Sequence, residues 1–482
     1  MDADEIRQLR PMLSRFLKQF NGCFLRRETR AHLPVYVEGQ LSDLPRKSVE
    51  PIALQFGMAP RTLQEFLSLL KWDEDRMRDR LQALVAREYA GPRALGVIDE
   101  TSWPKKGEKT PGVQRQWSGA AGKIDNCVVT VHLSLARGEG FHCLLDGELY
   151  LPESWAEDRE RRGQAGIPEG MGYRPKWQIA LELYDRARGN GLDLAWLTFD
   201  EGYGAKVPFL RALEARGQRF MGEVPRTFAG WIDSPGVTSR PFQRPLGRPR
   251  RTPRLRSGSR RARPVEALLR HHPALKDQSW QPWRVKDGTK GPMVWDVKHV
   301  RLYGSDERGL PAAAPWHLVV ARNVMKPSEF KFFVSNAEPE TPLASLLLAA
   351  FSRWHVERCF EDSKGEIGLD HYEGRLYRGL KRHLAVSAVS YLFLARVRAL
   401  WLGKYPQLTD VQVHRVLAAL VPSWWLGKRV PEKLIEQTAR VIQTIQANNA
   451  KAQAGHAKAT RRKLRSLGIN VSNLPRCSWA ET

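Results

Sequence analysis

Paired cysteines are missing from this chain. Its five cysteines, Cys23, Cys127, Cys143, Cys359 and Cys477, lie far apart, with no CxxC pair and no Cys/His spacing of a zinc site. A disulfide framework is excluded, and reduced, mostly buried thiols are expected. Long apolar runs are missing too. The longest, Leu384 to Ala395, is bounded by Arg382, His383 and Arg396, and about a dozen residues cannot cross a bilayer. The first five residues, Met-Asp-Ala-Asp-Glu, have neither the basic start nor the apolar centre of a secretory signal. These absences predict a cytoplasmic protein with no membrane partner. Acid is scarce as well: 52 Asp and Glu stand against 77 Lys and Arg, a net charge of +25. Such a balance calls for a polyanionic partner.

What is present is ample material for a core, with 42% hydrophobic residues and 16 tryptophans in 482 residues. That length exceeds what one core fills, so several domains are expected. Residues 1–90 read as helical. Within 48–70 stands Ile52-Ala53-x3-Gly57-Met58-Ala59-x2-Thr62-Leu63-x3-Leu67, the small-residue pattern of a helix-turn-helix, with Pro60 placed for a first helical turn. An ordinary helical hairpin has the same spacing.

Residues 91–225 change to strand patterns. Ala94 to Ile98 is apolar and ends at Asp99. Asn126 to Ala136 alternates, and His142 to Leu151 is a third run. A helix over about 176–188, a strand from Leu192 to Phe199 ending at Asp200, a helix over about 205–216 and a strand from Arg219 to Val224 follow. That order predicts an α/β fold with an RNase H-like mixed sheet flanked by helices, its first and fourth strands adjacent. Residues 226–338 interrupt it with an Arg/Pro-rich stretch and a β-rich insertion, 339–405 return as helix, and 406–482 are helical and basic.

Asp99 and Asp200 each close an apolar run, which is also a common way to start a turn. Far downstream, Arg353, Glu357 and Lys364 are spaced by four and seven residues, which places a carboxylate between two cations on one helical face. Three carboxylates in the order Asp, Asp, Glu supply hard oxygen ligands for two Mg²⁺ or Mn²⁺ ions, the arrangement suited to in-line phosphoryl displacement. Glu100, Glu201 and Glu361 compete for these roles on pattern alone.

At these residues the chain resembles the DDE transposases of bacterial insertion sequences, in the group with a β-rich insertion before the third acid. Their signature Tyr-x2-Arg-x3-Glu-x6-Lys is matched by Arg353, Glu357 and Lys364, while Ala350 takes the first place. The first-acid region is similar through Asp99-Glu-Thr101, Lys105-Lys-Gly107, Gly112-Val-x-Arg115-Gln116, Gly119-x2-Gly122-Lys123 and Asn126-Cys127. The second acid stands in Phe199-Asp200-Glu-Gly-Tyr-Gly204. The resemblance implies Asp99, Asp200 and Glu357 as the catalytic, metal-binding acids, and its Arg-x3-Glu spacing selects Glu357. It further implies double-stranded DNA as partner, both transposon ends and target, and a homodimer in the DNA complex of a nucleoid-associated bacterial protein.

For contact with DNA the same reading nominates Lys105, Lys106, Arg115 and Lys123 of a basic glycine-rich loop, with Arg353 and Lys364 as phosphate clamps. Residues 240–264 hold ten Arg, five Pro and no acid. Within them Arg248, Arg250 and Arg251 form the core of an AT-hook-like run, which also reads as a basic linker. Trp280, Trp283 and Trp295 lie in the insertion, as base-stacking or core residues. A catalytically silent DNA-binding derivative and a nuclease without strand transfer are the alternatives.

Overall fold

The computed structural model describes residues 3–119, 121–138, 140–240 and 252–478. In chain order, helices α1 (Val49–Gln55) and α2 (Pro60–Ser68) precede strands β1 (Gly91–Pro104), β2 (Gln114–Ser118), β3 (Lys123–Arg137) and β4 (Phe141–Leu149). Helix α3 (Lys176–Gly189), strand β5 (Leu194–Phe199), the single turn α4 (Glu201–Gly204) and strand β6 (Phe220–Val224) come next. The insertion supplies β7 (Gln281–Gly288), β8 (Gly291–Gly304), β9 (Trp316–Asn323) and β10 (Phe330–Ser335). Helices α5 (Leu343–Phe351), α6 (Trp354–Asp362), α7 (Tyr377–Trp401), α8 (Asp410–Trp425) and α9 (Glu432–Ser466) complete the chain. It is a mixed α/β fold with a large mixed sheet flanked by helices, as the RNase H-like expectation requires. Two compact units are built from interleaved segments, Met1–Ala195 with Trp354–Ala452, and Trp196–Arg353 with Gln453–Thr482.

In the first unit β3 is central. It pairs antiparallel with β1 along one edge and with β2 and then β4 along the other. Its alternating sequence predicts one wet face, yet Cys127 to Ala136 is buried throughout. The reason is that α3 and α6 both pack on this strand. Its polar residues are satisfied internally: Thr130 Oγ1 meets His132 Nε2 at 2.8 Å, and Ser134 Oγ donates to the Val97 carbonyl at 3.3 Å. Helix α7 is the apolar centre of this unit and packs on β4. It is the one helix among the described residues long and apolar enough to cross a membrane, and 78% of its apolar window is buried in protein.

The helix-turn-helix spacing corresponds to α1 and α2. Gly57 takes the left-handed conformation between them (φ 65°) and Pro60 opens α2. Ile52, Ala53, Leu63, Phe66 and Leu67 are buried. Arg382 of α7 donates to the carbonyls of Phe66, Leu67 and Leu70, which closes the C-terminal end of α2.

In the second unit, β5 runs parallel to β6, and β6 pairs antiparallel with β10. Strands β10, β9, β8 and β7 follow as an antiparallel meander, the expected β-rich insertion. Gly204 lies against β6 so closely that a Cβ there would sit 1.9 Å from the Glu223 carbonyl oxygen. Only glycine permits that approach. The end of α9 belongs to this unit: Leu464 packs with Val294 and Val471, and Thr460 Oγ1 donates to the Lys290 carbonyl at 2.6 Å.

Candidate active site

Asp99 does not end its strand. β1 continues to Pro104, so the aspartate stands mid-strand where burial gives way, half-buried, opposite His132 of β3. The apolar run stops at Ile98, but backbone pairing with β3 carries the strand onward through polar residues. Asp99 Oδ1 accepts the Glu100 amide at 2.8 Å. His132 is fully buried, and burial together with Lys364 lowers its pKa to about 3, so the ring is neutral. Its ring meets Phe360 of α6 edge-on at 5.3 Å. One turn further, Lys364 Nζ donates to the Ser102 carbonyl at 3.1 Å. The segment carrying Glu357 is therefore fastened to the β1–β3 ladder at two points, to β3 through His132 and to β1 through Ser102, and Glu357 itself is exposed.

The signature residues do not lie in one unbroken α-helix. Helix α5 stops at Phe351, where Ser352 Oγ bonds back to the Leu348 carbonyl at 2.6 Å. Arg353 lies in the turn before α6, and Lys364 lies in a π-helical turn, Ser363–Ile367, after it. Such a turn shifts angular register. Gly368 ends it at φ 73°, where a Cβ would meet His371 Nδ1 at 2.7 Å. Ala350 is buried in the last turn of α5.

Asp200, in the second unit, is the N-cap of α4: its Oδ1 accepts the Gly202 amide at 3.0 Å and the Tyr203 amide at 3.3 Å. Among the competing acids, Glu100 is ion-paired with Lys176 of α3. Glu361 takes Arg358 at 2.9 Å on an exposed face, and Glu201 is exposed in the first turn of α4.

The family model of the DDE superfamily endonucleases matches residues 19–292, more than half of the chain. The chain belongs to the DDE superfamily endonucleases. It is 33% identical over 168 residues to a probable transposase for insertion sequence element IS701 of Microchaete diplosiphon, 34% of this chain and 41% of that relative. The chain thus spans about two fifths of the curated relative it matches. The family match takes in Asp99 and Asp200 and ends before Glu357.

The basic loop of this DDE endonuclease is more ordered than its glycines predict, since β2 lies inside it. Asn126 Nδ2 donates to the carbonyls of Lys105 (2.7 Å) and Gly107 (3.1 Å), which fixes the loop's start. Lys105 turns inward and donates to the carbonyls of Asp370 (3.3 Å) and Tyr372 (2.5 Å), and burial, with Arg46 nearby, lowers its pKa to about 8. Lys106, Arg115 and Lys123 are exposed. Lys106 joins Arg46, Lys109 and Arg375 around a cavity of about 950 Å³. Arg248, Arg250 and Arg251 lie outside the described residues. Of the insertion tryptophans, Trp295 is core against Phe351, Trp283 pairs across from it, and Trp280 takes Lys298 and Arg322 over its ring.

A cluster that no local spacing announced lies deep in the first unit. His142 Nε2 of β4 stands 3.3 Å from Asp410 Oδ2 of α8 and 3.8 Å from Asp362 Oδ2 of α6. Arg358 Nε approaches the same Asp362 oxygen at 3.1 Å, and Arg398 Nη1 the Asp410 oxygen at 3.4 Å. Three potential metal donors thus converge within 4.8 Å. Two guanidinium groups already neutralise the two carboxylates, so a divalent ion would add uncompensated charge to a buried site. The cluster fits an ion-pair network tying α6 to β4, α7 and α8.

Proposed function

We propose that this DDE endonuclease is a transposase that binds element ends and carries out metal-dependent strand cleavage and strand transfer. Its metal-binding acids are Asp99, Asp200 and Glu357. The observation that carries this reading is the double fastening of the Glu357 segment to the β1–β3 ladder that holds Asp99, to β3 through His132 with Phe360 and to β1 through Ser102 with Lys364. A solvated ion-pair ladder needs no such support, whereas a ligand helix does.

The donor set is all carboxylate, which suits two Mg²⁺ or Mn²⁺ ions; bound, they would supply Lewis-acid activation of the attacking and leaving oxygens. The protein's own residues position the reactants. The Asp200 carboxylate is oriented by two amides, with Oδ1 engaged as a cap. Glu100 is held away by Lys176, and Lys364, fixed on Ser102, brings positive charge beside β1. Exposed Lys106, Arg115 and Lys123 provide phosphate contacts, and Arg353 a further one. The partner is double-stranded DNA, ends and target, gripped by a homodimer. The α1–α2 pair serves as a helix-turn-helix within an N-terminal DNA-binding region, followed by an interrupted catalytic core and a basic C-terminal region.

The deciding experiment incubates a supercoiled plasmid carrying the element's inverted repeats with the protein and Mg²⁺. Nicks at the repeat ends followed by joined products are expected. Nicks alone identify a nuclease, and intact plasmid with retained binding identifies a silent DNA-binding protein.

A further inference from the structure

Trp117 and Ile124 face each other across the β2–β3 hairpin, and both are exposed, at 61% and 60%. Two large apolar side chains paired at a hairpin tip form a contiguous apolar surface, which soluble proteins rarely leave without a use. Alternation along the strands places the next pair inward but one, Arg115 with Asn126, on the same face. Arg115 and Asn126 line a cavity of about 750 Å³ together with Lys109, Arg161 and Arg375. Glu108 and Asp158 also line it, but Asp158 caps the helical turn at Arg161, its Oδ1 accepting the Arg161 amide at 2.9 Å. Arg161 is itself held, its guanidinium over the Trp155 ring at 3.8 Å and donating to the Glu108 carbonyl at 2.9 Å. A flat aromatic therefore stands two residues along one strand face from Arg115, a lining residue of a cavity rich in cations, within one unit of the molecule.

We infer that this hairpin face and cavity bind an unpaired segment of a DNA strand, with a base stacked on Trp117 and flanked by Ile124, and its phosphates on Lys109, Arg115 and Arg375. This rests on the reading of the chain as a DNA-acting enzyme. An indole ring stacks on a base only where the base face is open, which the interior of a paired, stacked duplex does not offer, whereas the cations alone would serve either form. The apolar pair is what selects the unpaired strand.

Fluorescence anisotropy with two duplexes of one sequence, one blunt and one with two unpaired nucleotides at an end, tests it. The forked duplex binds more tightly by about 5- to 150-fold, the range expected for stacking one base. Trp117→Ala brings that ratio close to one, and Trp117→Phe keeps most of it. A 2-aminopurine in the unpaired position is quenched by the native protein and not by Trp117→Ala, and the exposed position leaves the melting temperature of either variant unaltered. A ratio of one for the native protein, or a ratio that survives Trp117→Ala, overturns the inference while leaving the DNA-acting reading intact. A change of oligomeric state in Trp117→Ala with the ratio preserved assigns the face to a second copy of the chain and overturns it too. Failure of the native protein to bind either duplex refutes the DNA-acting reading itself.

Discussion

Phe360 stands edge-on to His132, 5.3 Å between ring centroids and 70° between planes, and His132 is the residue directly across the β1–β3 ladder from Asp99. One aromatic contact thus lies between the helix of one proposed ligand and the strand of another. Phe360→Ala is expected to destabilise the protein by about 3–5 kcal/mol, the usual cost of emptying a buried phenylalanine site. Urea unfolding measures this. Strand cleavage should fall further than DNA binding, because the lost contact supports the ligand helix rather than the DNA surface.

Lys364→Met removes the donor to the Ser102 carbonyl while keeping most of the side chain's bulk. Supporting groups behind metal ligands typically matter by about 10- to 100-fold, and a loss of that order in cleavage rate is expected. A cleavage time course at fixed Mg²⁺ reads it. A rate within a factor of two of the native protein would mean that the contact is incidental.

Asp99→Asn and Glu357→Gln should each abolish nicking of end-bearing plasmid and leave end binding in a mobility-shift assay. Glu361→Gln should cleave normally, since that carboxylate is spent on Arg358 at 2.9 Å. Cleavage by Glu357→Gln, together with its loss in Glu361→Gln, would transfer the role one turn along α6.

His142 predicts a pH dependence of stability. Burial disfavours its charge, but Asp362 and Asp410 outweigh burial and raise its pKa above the ordinary 6.5; Arg398 opposes them. Arg358, Tyr391 and His355 also stand around it. The folded state binds the proton more tightly than the unfolded chain does, so the stabilisation is complete below pH 6.5 and lost as pH rises through the folded value. Asp410 works in the other direction. Burial raises its pKa, but His142 and Arg398 hold it below the ordinary carboxylate value, and its contribution disappears only on acidification through the folded value. Melting temperatures of native protein and His142→Gln should therefore diverge most between pH 5 and about 6.5 and converge at higher pH.

The strands and helices of the core were legible because apolar alternation and turn residues coincide with them. The run from Leu192 to Phe199 and the helix over 176–188 are found within two residues of β5 and α3. Asp99 misled because the apolar run ends at Ile98 while the strand does not: after half-buried Asp99 and Glu100, β1 runs on through buried Thr101, Ser102 and Trp103 to Pro104. The Arg353–Glu357–Lys364 spacing suggested one face because ideal helix angles assume unbroken α-helix, and a π turn leaves no clear trace in composition. Lys105 looked like a phosphate contact because a lysine beside glycines carries no sign of the distant carbonyls, Asp370 and Tyr372, that it serves. The cluster of His142, Asp362 and Asp410 was beyond reach for the same reason: its members come from three elements far apart in the chain.

The interleaving of the two units has a consequence for synthesis. Tyr377 of α7 hydrogen-bonds Glu148 of β4 across 229 residues of chain. At about 5–20 residues per second, roughly 10–50 s separate the emergence of the strand from that of the helix that covers it. During that interval the surface of β4 that α7 covers lacks its partner, although β3 and α3 already pack on the strand, and the entire insertion is made in between. A nascent chain therefore leaves that surface open to water for nearly half of the synthesis of its 482 residues.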